Sequence, residues 1–441
     1  MRIQRQRHPS LGLSVALLPL LACGSGGNAA TTHAQVDASL PSLHLPALEA
    51  GKPEAGRADA VVDAPVDAFN AAVCNSGDAS TSLPCGTLAF SKSQVLSRAR
   101  NHHVTVMTTG ATGATFYTIG GFDGANGTLD FVDRIPVGAD GSLGSWVSDT
   151  PIPFATGGLV GEVVSGSIVI AGGTGITEVY DQAYSAVIQP DGSLAAWTAA
   201  GTVGEPRMHA GSFSRGNTMW ILGGFDDQTV WSDIVSATVA TDGTVSAWAA
   251  AGQLPGPMSH FTVTMLDNYV YLTGGESQSA FDNPPELALT WRGQIEADGS
   301  IGDWTTMPPL VTGEATHGAF YYGGYLYVCG GINNVPTQED RCWRSPIGVD
   351  HALGTFDEVA SLPIARGHVH QLPVFGTHVY SIAGAIDFNL DSTTEIDIGV
   401  FDTMNTMKAA PHAHPRTTPS LPATHHKCHG ARKASPPRTE P

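Results

Sequence analysis

A period of about 52 residues governs the middle of this 441-residue chain. Glycine doublets, or a remnant of one, close short apolar runs at Gly120-Gly121, Gly172-Gly173, Gly223-Gly224, Gly274-Gly275, Gly330-Gly331 and Ala383-Gly384. Their spacings are 52, 51, 51, 56 and 53 residues. A second column, Trp146, Trp197, Trp248, Trp304 and Phe356, steps by 51, 51, 56 and 52. A third is His102, His209, His260, His317 and His368, with Gly157 in its place in the second unit. Columns sharing one period mark a single supersecondary unit used repeatedly, each copy burying its face against its neighbours.

Each unit reads as four short strands. In the third, a strand starts near His209, a second is Thr218 to Leu222, a third runs from about Asp233 to Val239, and the fourth carries Trp248. An Asp-Gly pair turns the third strand into the fourth, because glycine tolerates the positive φ of a tight hairpin. The second strands Tyr269-Val270-Tyr271-Leu272 and Tyr325-Leu326-Tyr327-Val328 are dense in β-branched and aromatic residues. No part of the repeat region holds a helical period. Four antiparallel strands repeated at this spacing predict an all-β, six-bladed propeller over residues 85–405. The sixth unit lacks a fourth strand, and Gly86-Thr87-Leu88-Ala89-Phe90 matches the phrase that opens that strand elsewhere. The N-terminal strand is therefore expected to close the sixth blade, removing an open sheet edge.

The glycine doublet, the tryptophan and the openings Arg207-Met208-His209 and Arg366-Gly367-His368 resemble kelch repeats. The pattern departs at Gly157 and at Ala383. The resemblance implies that the first strand of each blade is innermost, so its opening faces the central mouth. Arg100, His102, Arg207, His209, Arg366 and His368 are accordingly the candidate binding residues. Guanidinium forks suit carboxylate or sulfate ligands. Two readings of these columns stand: a ligand site, or structure, with each arginine paired to a loop acid such as Glu205 and the histidines bonding backbone between blades. The loops after the second strands carry Phe122, Phe225 and Phe281, which a partner-binding face would expose.

The ends of the chain read differently. Arg2, Arg5 and Arg7 precede a 12-residue apolar run, Leu11 to Ala22, too short for a bilayer span but suited to a signal peptide. It ends Leu20-Leu21-Ala22-Cys23-Gly24, which resembles a bacterial lipobox and implies lipid on Cys23, with an outer-membrane or cell-surface location. Residues 23–84 read as a disordered Ala/Asp/Pro-rich tether and 406–441 as a basic, His/Pro-rich tail. Cys74 with Cys85, and Cys329 with Cys342, are expected as disulfides in an exported chain.

The net charge is −19, and setting aside the basic ends leaves −27 on residues 23–405. So acidic a body repels phosphate backbones, which argues against nucleic-acid binding. No lysine lies between Lys92 and Lys408, which excludes Schiff-base chemistry there. Neither a Gly-x-Ser-x-Gly elbow nor a His-Glu-x-x-His pair occurs, and neither a metal nor a cofactor is expected. The first functional expectation is a monomeric, non-enzymatic module binding a protein or glycan at the loop face, touching membrane only through its lipid. The second is an enzyme. Bacterial sialic acid mutarotases share this fold, and an acid–base pair near a bound acidic sugar, drawn from the arginines with Glu205 or Glu314, is what such a reaction needs.

Overall fold

The computed structural model describes residues 87–401 except 125–126, 227, 279–284, 334–337 and 388–389, together with a two-stranded backbone pairing of Val73–Cys74 with Leu83–Pro84. The expected signal peptide with Cys23, the expected Cys74–Cys85 bridge, Phe281 and the basic tail all lie outside the described residues.

Six four-stranded antiparallel meanders occur among the described residues. The third has strands Gly211–Arg215, Thr218–Leu222, Asp233–Thr238 and Ala249–Gln253. Its second strand, Thr-Met-Trp-Ile-Leu, is buried from Met219 onward, as a strand packed on both faces must be. The innermost strands of the others are Val104–Gly110, Val160–Val164, Thr262–Leu266, Gly318–Tyr322 and Val374–Phe375. The sixth meander takes Leu88–Val95 as its outer strand, with Leu88 opposite Phe401 and Phe90 opposite Gly399. The expected closure by the N-terminal strand is therefore present. Blades 3 and 4 share a single parallel pairing, Gly252 with Ile301, so their strands form one eight-stranded sheet. The result is an all-β, kelch-like propeller.

Each repeated column has a distinct mechanical task between blades. The second glycine of each doublet donates its N–H to the opening carbonyl of the next blade: Gly121 to Thr156, Gly173 to Arg207, Gly224 to Met258, Gly275 to Glu314, Gly331 to Arg366 and Gly384 to Arg100, at 2.7–2.9 Å. The first glycine sits against the same carbonyl. A Cβ at Gly274 (φ +64°) would lie 2.1 Å from the Glu314 oxygen, so only glycine fits without a shift. The indoles of Trp197, Trp248 and Trp304 donate to the preceding blade at Thr150, Ala200 and Gln253. The Asp-Gly turns are seats for the preceding blade's aromatics: Tyr117 donates to Gly192, Trp220 to Gly299 and Tyr380 to Gly141. In blade 5 the turn is Asp350-His351 instead, and Tyr271 donates to the His351 carbonyl. Cys329 and Cys342 are directly opposed on neighbouring strands and joined as a disulfide.

Candidate functional site

A ring of main-chain hydrogen bonds passes from blade to blade at the innermost turns. His102 N–H donates to His368, Gly158 to His102, His209 to Gly158, His260 to His209, Thr316 to His260 and Val369 to Thr316. The six residues His102, Gly158, His209, His260, Thr316 and His368 all have left-handed backbone, with φ between 50° and 66°. That conformation costs an L-residue about 1–2 kcal/mol, and the ring overdetermines it. This geometry corrects two positions of the histidine column. In blade 2 the equivalent residue is Gly158 rather than Gly157, and in blade 5 it is Thr316 rather than His317. The left-handed turn defines the column, and His317 lies one residue later, its Nε2 2.8 Å from the Thr273 hydroxyl.

The imidazoles of this ring cluster. His102 stacks on His368 at 3.8 Å between centroids and His209 on His260 at 4.1 Å, while His102 and His209 meet edge-on at 4.8 Å. His370 is 5.8 Å from His209 and makes the fifth member. Burial holds His102, His209 and His368 well below the ordinary imidazole range, with the neighbouring rings adding to the effect, and takes His370 down to about 3. Phe122 meets His102 edge-on, and Phe225 lies over His209 and His260. Phe225 is only 2% exposed, so it serves this cluster instead of presenting itself to a partner. Among the described residues, no group of three or more His, Cys, Asp or Glu is arranged to hold a metal ion.

The arginine trio is not assembled at the mouth. Arg100, Arg207 and Arg366 are 0–1% exposed. Arg100 is bonded to Asp133 and donates to the Thr118 carbonyl. Arg207 grips both oxygens of Asp233, at 2.8 and 3.1 Å, and the Gly223 carbonyl at 2.9 Å. Arg366 is bonded to Asp397 and to the carbonyls of Ala383 and Glu395. Each guanidinium is consumed inside its own blade, bracing the doublet against the third strand. The expectation of three cationic arms for an anionic ligand is therefore corrected, and the partner of Arg207 is Asp233, Glu205 lending only its main-chain carbonyl. Glu314 occupies the corresponding opening position of blade 5, 1% exposed, and burial pushes its carboxyl up to about 8.

Beneath the histidines is a cavity of about 260 Å³ among the innermost strands. Its polar lining includes Thr105, Glu162, His209, Ser212, Ser214 and Gln371, and it has neither arginine nor lysine. Ser212 donates to one Glu162 carboxylate oxygen at 2.8 Å and Ser214 to the other at 3.3 Å, both reaching across from blade 3 to blade 2. Burial pushes Glu162 up to about 7 against the opposing pull of these two hydroxyls. Sequence reasoning missed this group. The available signal was a single carboxylate in Val160-Gly161-Glu162-Val163-Val164, facing two serines that alternate with Phe213 on the next innermost strand.

No protein-family model matches the chain. Alpha-scruin of Limulus polyphemus is 23% identical over 192 residues, which is 42% of this chain and 20% of the scruin, so the chain spans about a fifth of that relative's length. A solved structure described as that of YjhT superposes with a TM-score of 0.55 at 12% identity, over 68% of this chain and 95% of the other. At these identities the likeness concerns fold, and with the repeat columns it supports a kelch-like propeller.

Proposed function

We propose that this chain is a surface-tethered lipoprotein whose propeller is a non-enzymatic binding module, with the axial cavity as its small-ligand seat and the loop face open to a protein or glycan partner. The observation that carries this is the fate of the ionisable groups. The three opening arginines are spent on Asp133, Asp233 and Asp397, whereas the cavity keeps a carboxyl, hydroxyls and neutral imidazoles without a cation beside them. A rigid scaffold holding such a cavity suits recognition more readily than acid–base turnover of an anion.

The second reading, a carbohydrate-active enzyme of the sialic acid mutarotase type, draws on one observation. Glu162, pushed up to about 7, has the affinity for a proton that a general acid–base needs at neutral pH. It lacks a guanidinium or ammonium in the cavity lining for the sugar's carboxylate. The test is thermal stability of residues 80–403 against neutral sugars, uronic and sialic acids, amines, Ca²⁺ and Cu²⁺, since a ligand of the native state raises the midpoint by mass action. Polarimetry of sialic acid anomers runs in parallel. A ligand-dependent rise without anomer conversion supports the binding module, and conversion that disappears in Glu162→Gln replaces it with the enzyme. The lipid anchor is tested separately: Cys23→Ser is expected to move the full chain from the membrane fraction to the soluble one, and retention there would refute it.

A further inference from the structure

Resting on the binding-module reading, the axial cavity has a chemistry that narrows its ligand. Its polar lining holds one carboxyl and no cationic side chain. Both Glu162 oxygens face it with only hydroxyl donors at 2.8 and 3.3 Å. His209 Nδ1 and Thr105 Oγ1, on residues 7% and 3% exposed, have no side-chain or main-chain partner. The Gln371 Oε1 is already engaged by the Thr105 N–H, and the Thr262 hydroxyl by the His317 carbonyl. The walls are apolar: Leu159, Phe213, Phe261, Val263, Leu372 and Pro373.

We infer that the cavity between Glu162, Ser212, Ser214 and His209 is a site for a small organic ammonium ion, its N–H groups shared between the Glu162 carboxylate and the His209 imidazole and its carbon chain against Phe213 and Phe261. Three considerations select this class. An unpaired carboxylate in a confined site is stabilised more by a cation than by a neutral hydroxyl, because the full positive charge adds a Coulomb attraction that the lower effective dielectric of an enclosed site strengthens. A neutral imidazole has one ring nitrogen that accepts a hydrogen bond from an ammonium ion and no positive charge with which to hold an anion. The volume, about 260 Å³, falls just below the roughly 300–1,000 Å³ of pockets that hold drug-sized molecules, and so fits a short-chain amine. A carboxylate or sulfate ligand would meet Glu162 with no cation to offset it. The upward push on Glu162 fits the same picture, since it reports a charge still without a counter-ion.

The experiment is isothermal titration of the full chain with n-butylammonium, 1,5-diaminopentane, glucose and sialic acid at pH 8, followed by the same titrations of Glu162→Gln and Ser212→Ala. The expected result is binding of the two amines, weakened about 10- to 100-fold in Glu162→Gln, the size of one charge-assisted hydrogen bond, and largely kept in Ser212→Ala, which retains the carboxyl. A cooperative melt of Glu162→Gln identifies the loss as a ligand effect rather than unfolding. Equal amine affinity in Glu162→Gln overturns the site. Binding of glucose or sialic acid in place of the amines overturns the ligand class while leaving the binding module intact. Failure of all four probes to bind the unmodified chain overturns the inference.

Discussion

Glu162 also provides a stability test that needs no ligand. Its carboxyl is pushed by burial from 4.5 up to about 7 in the folded chain. The native state therefore holds this proton more tightly than the unfolded chain. The associated stability is present in full below pH 4.5 and is lost as the pH rises through about 7. One pKa unit corresponds to about 1.4 kcal/mol, which bounds the loss at about 3 kcal/mol, and solvent reaching the partly buried carboxyl reduces it to about 1–2 kcal/mol. Glu162→Gln keeps the shape and cannot ionise; its amide oxygen still accepts from one of the two serine hydroxyls, and its NH₂ donates to the oxygen of the other. Urea or thermal unfolding of both chains at pH 5 and pH 8.5 reads the difference. The substitution should be nearly neutral at pH 5 and stabilising by about 1–2 kcal/mol at pH 8.5, or roughly 2–5 °C in a domain of this size. A gap between the two chains that is the same at both pH values would refute the assignment of an uncompensated carboxylate at this position.

The buried histidines work in the opposite direction. His102, His103, His209, His317, His368 and His370 are all held below the ordinary imidazole range by burial, so their stability is present above about pH 6.5 and lost as the pH falls. The urea midpoint should drop steeply between pH 6 and pH 4, and His370→Gln should make that slope shallower. Arg366→Ala leaves Asp397, whose side chain is fully buried, without its cation, and should cost about 3–5 kcal/mol by chemical denaturation. An Arg366→Met/Asp397→Leu pair should cost less, because a buried ion pair is weak evidence for net stability. Gly121→Ala places a Cβ 2.5 Å from the Asn101 oxygen at φ +103°. It should lower the melting temperature by more than the same change at Gly216, whose added Cβ would meet nothing within 4 Å and which therefore loses only the glycine backbone freedom.

The architecture was largely legible in the sequence, because the columns that repeat are the ones that join blades. Gly121, Trp197 and Tyr117 each touch a neighbour, so their period is the period of the fold. The site was legible only in part. Arg207 reads the same on paper whether it reaches for a ligand or for Asp233, and the acid partners sit at unequal offsets, at the first residue of the third strand for Asp233 and at the second or third for Asp133 and Asp397. The Thr316-His317 pair shows a second limit: which residue takes the left-handed turn is settled by the bond from Thr316 to His260, one blade away. Glu162 stands alone in an otherwise apolar strand, and its meaning depends on Ser212 and Ser214, about fifty residues later.

The pairing of Leu88–Val95 with Glu395–Phe401 has a temporal side. Of the strands in the six meanders, the one made first is the one completed last, since its partner is about 300 residues further along the chain. At synthesis rates of about 5–20 residues per second, that strand waits roughly 15–60 seconds with an unsatisfied edge. The consecutive polar residues Ser91, Lys92, Ser93 and Gln94 keep that edge from seeking a hydrophobic partner, and Lys92 finds Glu395 only when the sixth blade arrives. Nascent chains halted before Glu395 should therefore hold five blades that cannot close, and closure should register as a single late event.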